Sequence, residues 1–245
     1  LLESVRCINN IRAVVNITTD KCYENNDDNI AYAENDRMGG NDPYSSSKAC
    51  SELVTNAFRK SYFPANNYNN HGVALASVRA GNVIGGGDWS EDRIIPDIIK
   101  SIENDFTLNI RNPHATRPWQ HVLEPLGGYM SLAEKLYIDG SNFSEAWNFG
   151  PNEDCSISVI DLVKKLDSLW NKNIHWKIDE NNHPKESHYL RLDISKSEKR
   201  LSWEPLLDLE TTLRLIIDWS DAFISKNDME NFSISQIKSY ESLMH

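Results

Sequence analysis

Tyr44 and Lys48 are the residues of this chain whose types and spacing point most directly to chemistry. They stand at positions i and i+4, so a helix would place both on one face. A free phenol has a pKa of about 10 and is a poor base at neutral pH, but a nearby cation stabilises the phenolate and lowers that pKa. Such a pair is suited to moving a proton during the oxidation of an alcohol. The same spacing also occurs in ordinary helices, so the pair alone does not establish a function.

A second polar group, at residues 18–21, follows a β-rich run at 12–18 that predicts a buried strand. The next predicted element is a helix over 44–60, with Asp42 as its N-cap and Pro43 in its first turn. Parallel α/β sheets bind ligands at the carboxyl ends of their strands. We therefore expect the residue 18–21 turn to face a site, and a solvated strand end is the plain alternative.

Short apolar runs alternate with amphipathic segments along the rest of the chain. We predict further strands at 72–79, 106–110 and 146–149, and further helices at 93–103, 123–138 and 211–223. One more helix is predicted to begin at a Ser156 cap. In the 44–60 helix, the predicted buried face consists of Ala49, Leu53, Val54, Ala57 and Phe58. The alternation as a whole predicts an α/β fold with a largely parallel sheet.

Composition excludes several classes of protein. The chain has 245 residues and a formal net charge of −11, which argues against a nucleic-acid binder. It contains no apolar run of about 18 residues that would span a membrane. The cysteines form no CxxC pair and the histidines show no metal-ligand spacing, so we expect neither a disulfide framework nor a metal site. Reduced thiols in the cytoplasm are the expected state.

Four longer motifs carry a resemblance to a known family. They are NITTDKCY from Asn16, MGGNDPYSSSKACSELV from Met38, SVRAGNVIGGGDW from Ser77 and RNPHATRPWQHVLEPL from Arg111. The chain resembles the extended short-chain dehydrogenase/reductases, within them the nucleotide-sugar 4,6-dehydratases, and in the last two motifs the subgroup that acts on CDP-glucose. The resemblance implies an α/β fold with a Rossmann-like parallel sheet, of which only the C-terminal portion is present, and a smaller α/β substrate-binding domain.

The resemblance also implies an arrangement of domains. Residues 1–83 correspond to the C-terminal part of an NAD-binding domain that carries the catalytic residues. Residues 84–245 correspond mainly to a nucleotide-sugar-binding domain, with some segments that return to the Rossmann sheet. No glycine-rich dinucleotide fingerprint precedes the first strand. We therefore expect the chain to be an N-terminally truncated portion of its protein that is inactive on its own.

The chemistry that the resemblance implies uses NAD and five residues of the first domain. Tyr44, assisted by Thr19 and Lys48, removes the proton of the C4 hydroxyl while hydride leaves C4, and Tyr44 and Lys48 also contact NAD. Asp20 and Lys21 then serve the loss of water across C5 and C6. Asp20 can donate a proton only if burial raises its pKa. Lys21 acts either as a neutral base or as a cation that stabilises the enolate, and both roles remain open.

The resemblance further implies substrate-binding residues in the second domain. Asn82 lies near the sugar diphosphate, Arg111 and Arg117 offer paired donors to the diphosphate, and His188 and Tyr189 line the nucleotide pocket. The glycines at 81–87 are either part of this contact or an ordinary turn. The implied partners are CDP-glucose and a second copy of the chain, packed through the 44–60 helix. The implied role is cytoplasmic deoxysugar synthesis for a lipopolysaccharide O-antigen.

Two other classes of function stay open. One is a different nucleotide-sugar enzyme of the same fold, such as a 4-epimerase, a decarboxylase or a dehydratase for another nucleotide. The other is a non-catalytic fragment that only binds nucleotide. Exposed apolar residues between Leu1 and Ile17 would favour the fragment.

Overall fold

The computed structural model describes residues 1–25, 30–179, 181 and 189–244. Helices alternate with mainly parallel strands, which confirms the predicted α/β class. The chain forms two compact units. The first unit comprises Leu1–Gly81, Pro125–Gly150 and Leu190–Glu204, and the second comprises Asn82–Glu124, Pro151–Tyr189 and Pro205–His245.

The elements are numbered in chain order. The α-helices are α1 (Leu2–Cys7), α2 (Pro43–Ser61), α3 (Tyr68–His71), α4 (Ile94–Asn104), α5 (Leu123–Asp139), α6 (Val159–Trp170), α7 (Ser195–Leu201), α8 (Leu209–Ile224) and α9 (Met229–Glu241). The strands are β1 (Ala13–Ile17), β2 (Ala31–Tyr32), β3 (Ala74–Arg79), β4 (Val83–Ile84), β5 (Leu108–Ile110), β6 (Thr116–Pro118), β7 (Gln120–His121), β8 (Ala146–Asn148), β9 (Ser156–Ser158), β10 (Trp176–Ile178) and β11 (Arg191–Leu192).

The main sheet of the first unit has the parallel order β1-β3-β8. Ile17 is in register with Val78, and Ser77 is in register with Ala146, so the three strands end at the same edge. All of β3 is buried, as its position between two strands requires. The polar turn after β1 and the Ala80-Gly81 segment after β3 consequently lie beside each other at the carboxyl edge of this sheet.

The predicted buried face of α2 is wrong in most of its members. Leu53 is 58% exposed and Val54 is 49% exposed, whereas the fully covered positions are Ser45, Ala49, Glu52 and Thr55. The buried side of the helix is mostly polar because the main sheet supplies hydrogen-bond partners for it. Thr55 Oγ1, for example, accepts a 2.7 Å hydrogen bond from Asn16 on β1. The predicted cap holds, since Asp42 accepts from the backbone N–H of Ser45.

The second unit has its own apolar core, made by α4, α6 and α8 together with short strand pairs. Ser156 is not the cap of α6, which corrects the prediction. Residues Ser156–Ser158 form β9, which pairs antiparallel with β6, and the side chain of Ser158 accepts from Asp161 N instead. The helix α9 was not predicted from the sequence.

Over the ranges that the structure describes, no helix is long and apolar enough to cross a membrane. The same ranges contain no cluster of three or more His, Cys, Asp or Glu side chains that could hold a metal ion. The four cysteines are free thiols.

Candidate functional site

The turn after β1 presents Thr19, Asp20 and Lys21 in different environments. A short 3-10 turn begins at Asp20, and Thr19 is its N-cap, accepting from Lys21 N at 3.4 Å. Asp20 is 4% exposed, and its backbone N–H donates to Ala80 O at 3.2 Å. Lys21 is exposed. The turn therefore buries the carboxyl group and leaves the ammonium at the surface.

Thr19 acts directly on Asp20 in this structure. Its hydroxyl donates to Asp20 Oδ1 at 3.0 Å. This hydrogen bond restricts the Asp20 side chain. The resemblance assigned Thr19 as an assistant of Tyr44, and this role stays a prediction.

Tyr44 and Lys48 occupy the first turns of α2, which packs against the 20–22 turn. Tyr44 is 51% exposed, Lys48 is half-buried, and Lys48 Nζ lies 5.7 Å from the centroid of the Tyr44 ring. Hydrogen bonds from Ser45 lower the pKa of Asp42, and the charge of Lys21 contributes in the same direction. The field of Lys21 thus reaches the start of α2. The structure brings the two predicted catalytic motifs to one edge of the first unit.

A buried ion pair behind this edge was missed by the sequence reasoning. Glu52 lies on α2 one turn beyond Lys48, and its Oε1 and Oε2 accept from Arg79 Nε at 3.0 Å and Arg79 Nη2 at 2.9 Å. The same carboxylate accepts from Thr18 at 2.5 Å and from Ser77 at 2.7 Å. Burial raises the pKa of Glu52, but these hydrogen bonds and the charge of Arg79 outweigh burial and leave the pKa below its ordinary value. The sequence feature that could have revealed this pair is Arg79, a charged residue at the end of a strand predicted to be buried.

The network continues from Arg79 into the residues after Lys21. Arg79 Nη1 donates to Tyr23 Oη at 2.6 Å, and Tyr23 Oη donates to Asn148 Oδ1 at 2.7 Å. Burial raises the pKa of the neighbouring Cys22 thiol to about 12, so this thiol is protonated and unreactive at neutral pH. The network fastens α2, β3 and the polar turn after β1 to one another.

The predicted diphosphate arginines of the second unit differ in environment. Arg117 is 8% exposed in β6, and its Nη1 donates to Thr116 O at 2.9 Å. Arg111 is 40% exposed in its side chain and forms an ion pair of 3.0 Å with Asp92. An exposed pair of this kind is weak, so Arg111 can exchange its partner at little cost.

The remaining predicted substrate residues are only partly described. Asn82 has a left-handed backbone with φ 49°, and its carbonyl oxygen accepts from Gln120 N at 3.2 Å. Tyr189 is half-buried. His188 lies outside the described residues.

Packing accounts for part of the glycine-rich loop. A Cβ on Gly86 would overlap the Trp219 indole, and a Cβ on Gly85 would lie 2.8 Å from Val122 Cγ1. Gly87 has φ +77°, which L side chains rarely adopt. Trp219 stacks on Phe223 with a centroid distance of 5.6 Å. These glycines are therefore explained by close packing and by backbone conformation.

His121 on β7 belongs to the fourth motif and is a buried histidine. It is 2% exposed, and its Nδ1 accepts from Leu123 N at 3.3 Å, which places the remaining proton on Nε2. Nε2 has no hydrogen-bond partner among the residues described. Burial lowers the pKa of His121 to about 4, so the ring is neutral at pH 7.

Comparisons with known proteins place these motifs in a family. The family described as GDP-mannose 4,6 dehydratase matches residues 1–216. A CDP-glucose 4,6-dehydratase of Salmonella typhimurium is 53% identical over 242 residues, covering 99% of this chain and 67% of the relative. This agrees with the resemblance carried by the four motifs.

Two solved structures show the same fold. A dTDP-glucose 4,6-dehydratase of Bacillus anthracis in complex with NAD has a TM-score of 0.70 at 21% identity, covering 90% of this chain and 65% of that chain. A UDP-glucuronic acid 4-epimerase of Bacillus cereus in complex with UDP-glucuronic acid and NAD has a TM-score of 0.75 at 21% identity, covering 91% and 65%. The chain spans about two thirds of the length of these relatives. It belongs to the GDP-mannose 4,6 dehydratase family.

Proposed function

We propose that the protein converts CDP-glucose to CDP-4-keto-6-deoxyglucose and water. The observation that carries the proposal is the buried Asp20 in a turn that packs against the start of α2, where Tyr44 and Lys48 lie. The reaction needs a group that removes the proton of a hydroxyl and a separate acid that protonates a leaving hydroxyl, and these residues supply both. The 53% identity to a CDP-glucose 4,6-dehydratase supports the choice of nucleotide.

The residues at this edge fit a role beside NAD. Tyr44 and Lys48 are accessible where the strands of the main sheet end, and they would hold the nicotinamide end of the cofactor. NAD held there would supply a reversible hydride acceptor for oxidation at C4 and reduction at C6. We propose that the first unit binds the cofactor and the second unit binds the nucleotide sugar.

The side chains of the first unit perform the proton transfers. Tyr44 takes the proton of the C4 hydroxyl, and the Lys48 ammonium stabilises the phenolate. The 4-ketone acidifies the hydrogen on C5. As a solvent water takes the C5 proton, Asp20 gives its proton to the C6 oxygen, the C6–O bond breaks and water leaves. Asp20 must start this step protonated, because only a protonated carboxyl group can donate to the leaving oxygen. When hydride returns to C6, solvent returns a proton to C5.

Lys21 stabilises the enolate as a cation in this proposal. A lysine becomes a neutral base only when it is desolvated or placed beside another cation. Lys21 is exposed, and its charge acts on the carboxylate of Asp42. Its exposure removes the desolvation that a lysine base requires.

Binding of the nucleotide is assigned to the second unit. Arg117 would hold the diphosphate because a buried guanidinium offers paired donors at a fixed geometry. Arg111 would exchange Asp92 for the diphosphate. Asn82, His188 and Tyr189 complete the proposed set, as the resemblance implies.

The first unit presents apolar surface that suits a second copy of the chain. Leu53 and Val54 on α2 are 58% and 49% exposed, and Met130 and Tyr137 on α5 are 72% and 53% exposed. Covering these side chains would remove apolar area from water. We propose a homodimer in the cytoplasm, with the product used for the deoxysugar of a lipopolysaccharide O-antigen.

A non-catalytic nucleotide binder is the second candidate, and one observation favours it. Ile8 is 54% exposed and Ile17 is 55% exposed. Exposed apolar residues between Leu1 and Ile17 are what the non-catalytic alternative predicts.

The test uses the protein produced from its whole reading frame. CDP-glucose and NAD are added, and the 4-keto-6-deoxy product is followed by its absorbance in alkali, with the dTDP, UDP and GDP sugars in parallel. Product from CDP-glucose supports the proposal, and product only from another nucleotide sugar overturns the assignment of cytidine. Binding of CDP-glucose without any product favours the nucleotide binder, and interconversion of sugars at C4 favours an epimerase. The 245-residue chain is assayed beside it under the same conditions.

A further inference from the structure

We propose that Gly81 is a positioning residue for Asp20, because the Asp20 carboxyl group occupies the volume that a side chain at position 81 would fill. This inference rests on the proposed dehydration and deepens it. It concerns two residues of the first unit that are far apart in sequence and adjacent at the carboxyl edge of the main sheet.

The geometry of the contact is direct. An ideal Cβ built on Gly81 would overlap Asp20 Oδ2 and Cγ, and would lie 2.8 Å from Oδ1. Gly81 is buried and Asp20 is 4% exposed, so both groups are shielded from solvent. On its other sides, Asp20 is held through its backbone N–H by Ala80 O and through Oδ1 by the Thr19 hydroxyl.

Backbone conformation does not explain the glycine. The glycines with positive φ in the described chain are Gly72, Gly87 and Gly140, and Gly81 is not among them. An alanine could therefore adopt the backbone angles of residue 81. What excludes a side chain is the carboxyl group of Asp20, so the requirement for glycine is one of volume.

The position of Asp20 matters at one step of the reaction. Asp20 gives its proton to the C6 oxygen while a solvent water takes the C5 proton, the C6–O bond breaks and water leaves. A displacement of about 1 Å in a reacting group costs about a hundredfold in rate. The removal of the C4 hydroxyl proton by Tyr44 does not use Asp20. Gly81→Ala should therefore slow elimination by about a hundredfold and spare oxidation at C4.

A stability cycle tests the contact without reference to activity. The whole protein is compared with Gly81→Ala, Asp20→Ala and the double variant by thermal unfolding. Gly81→Ala should lower the midpoint by several degrees, and the fall should largely disappear in the Asp20→Ala background, where the carboxyl group is gone. An equal fall in both backgrounds would overturn the contact.

The matched control is Gly150→Ala in the same unit. A Cβ on Gly150 meets Ile194 Cγ2 at 3.4 Å and Leu192 Cβ at 3.5 Å, which are ordinary contacts, and Gly150 has no positive φ. This variant should change the midpoint less than Gly81→Ala does. A larger change at Gly150 would show that the effect at Gly81 is that of any added methyl group.

A single-turnover experiment tests the role. Reactions with CDP-glucose and NAD are quenched with borodeuteride, which labels every 4-keto sugar with one deuterium. Mass spectrometry then separates the 4-keto sugar that retains the C6 oxygen from the dehydrated product. Gly81→Ala should accumulate the oxygen-retaining sugar, and adding Gly81→Ala to Asp20→Ala should not slow elimination further.

Equal losses of oxidation and elimination in Gly81→Ala would overturn the positioning role, as would an unchanged rate of product formation. If the unmodified protein forms no 4-keto sugar, the proposed dehydration fails. The stability cycle then decides alone whether Gly81 positions Asp20.

Discussion

Arg79 Nη2 lies 2.9 Å from Glu52 Oε2, and both side chains are almost completely buried. This pair links α2, which carries Tyr44 and Lys48, to the strand that precedes Gly81. Thr18, Ser77, Tyr23 and the Glu34 carbonyl oxygen provide further hydrogen bonds to the charged ends. The position of α2 relative to β3 is therefore fixed by an ion pair that lies outside the candidate site.

Glu52→Gln should destabilise the protein strongly, because it leaves the guanidinium of Arg79 buried without its counter-charge. Removing one partner of a buried ion pair costs about 3–5 kcal/mol. Urea unfolding of the whole protein measures the loss. Glu210→Gln is the control, since its partner Arg214 is exposed and such pairs contribute about 1 kcal/mol or less. Equal losses in the two variants would contradict a structural role of the buried pair.

His121 should make stability depend on pH between about 6.5 and 4. Burial lowers its pKa from 6.5 to about 4 in the folded protein, so the unfolded chain binds the proton more readily in this range. The free energy of unfolding should fall as the pH falls through this window, by about 3 kcal/mol for a shift of this size. Denaturant unfolding at several pH values checks this.

His121→Gln should flatten that pH dependence even if it lowers stability overall, because no imidazole remains to take up the proton. His175→Gln is the control, since His175 is exposed in the folded protein. If His121→Gln keeps the full slope, groups other than His121 produce it.

Lys21→Arg should retain most of the activity, and Lys21→Met should lose it by about 10²–10³-fold, as removal of one electrostatic stabiliser does. Arginine keeps the charge but does not act as a base. The rate of product formation from CDP-glucose is measured for both. Loss in both variants would instead indicate that Lys21 removes the C5 proton. Lys60→Met, at the exposed end of α2, provides the control for loss of a positive charge.

Tyr44→Phe should strongly slow oxidation at C4, because the phenolate oxygen that accepts the proton is gone. The loss expected for a general base is about 10²–10⁴-fold. Its melting temperature should change little, since Tyr44 is 51% exposed. Tyr62→Phe, at 47% exposure just beyond α2, removes a comparable hydroxyl and should keep full activity. The 4-keto sugar is measured in single turnovers, and full activity of Tyr44→Phe would exclude the proposed role.

Leu53→Glu should convert the proposed dimer to monomers, because a charge would be buried at the centre of the contact. Light scattering on the whole protein reports the mass. Ile178→Glu serves as the control, since Ile178 on β10 is similarly exposed, at 47%, in the second unit. A monomeric unmodified protein, or a Leu53→Glu dimer of unchanged affinity, would rule out this interface.

Local patterns sufficed for much of the fold. The Asp42 cap with Pro43 behind it predicted the start of α2, and the alternation of apolar runs predicted the parallel strands that now appear as β1, β3 and β8. These signals depend on residues close together in sequence. The same pattern predicted that the turn at 18–21 lies at the carboxyl edge of the sheet.

Non-local contacts decided the rest. Apolar spacing predicted that Leu53 and Val54 are buried, but both are exposed. The helix α2 instead buries Glu52, because Ser77 and Arg79 on β3 supply its hydrogen-bond partners. Ser156 was predicted to cap a helix, but its segment forms a strand that pairs with β6.

The sequence by itself determined the motifs that are predicted to be catalytic, since each is a run of neighbouring residues. Only the tertiary structure decided that Asp20 is buried against Gly81 while Lys21 remains exposed. The burial and the partners of a side chain depend on elements brought together by folding, and no spacing within one segment encodes them.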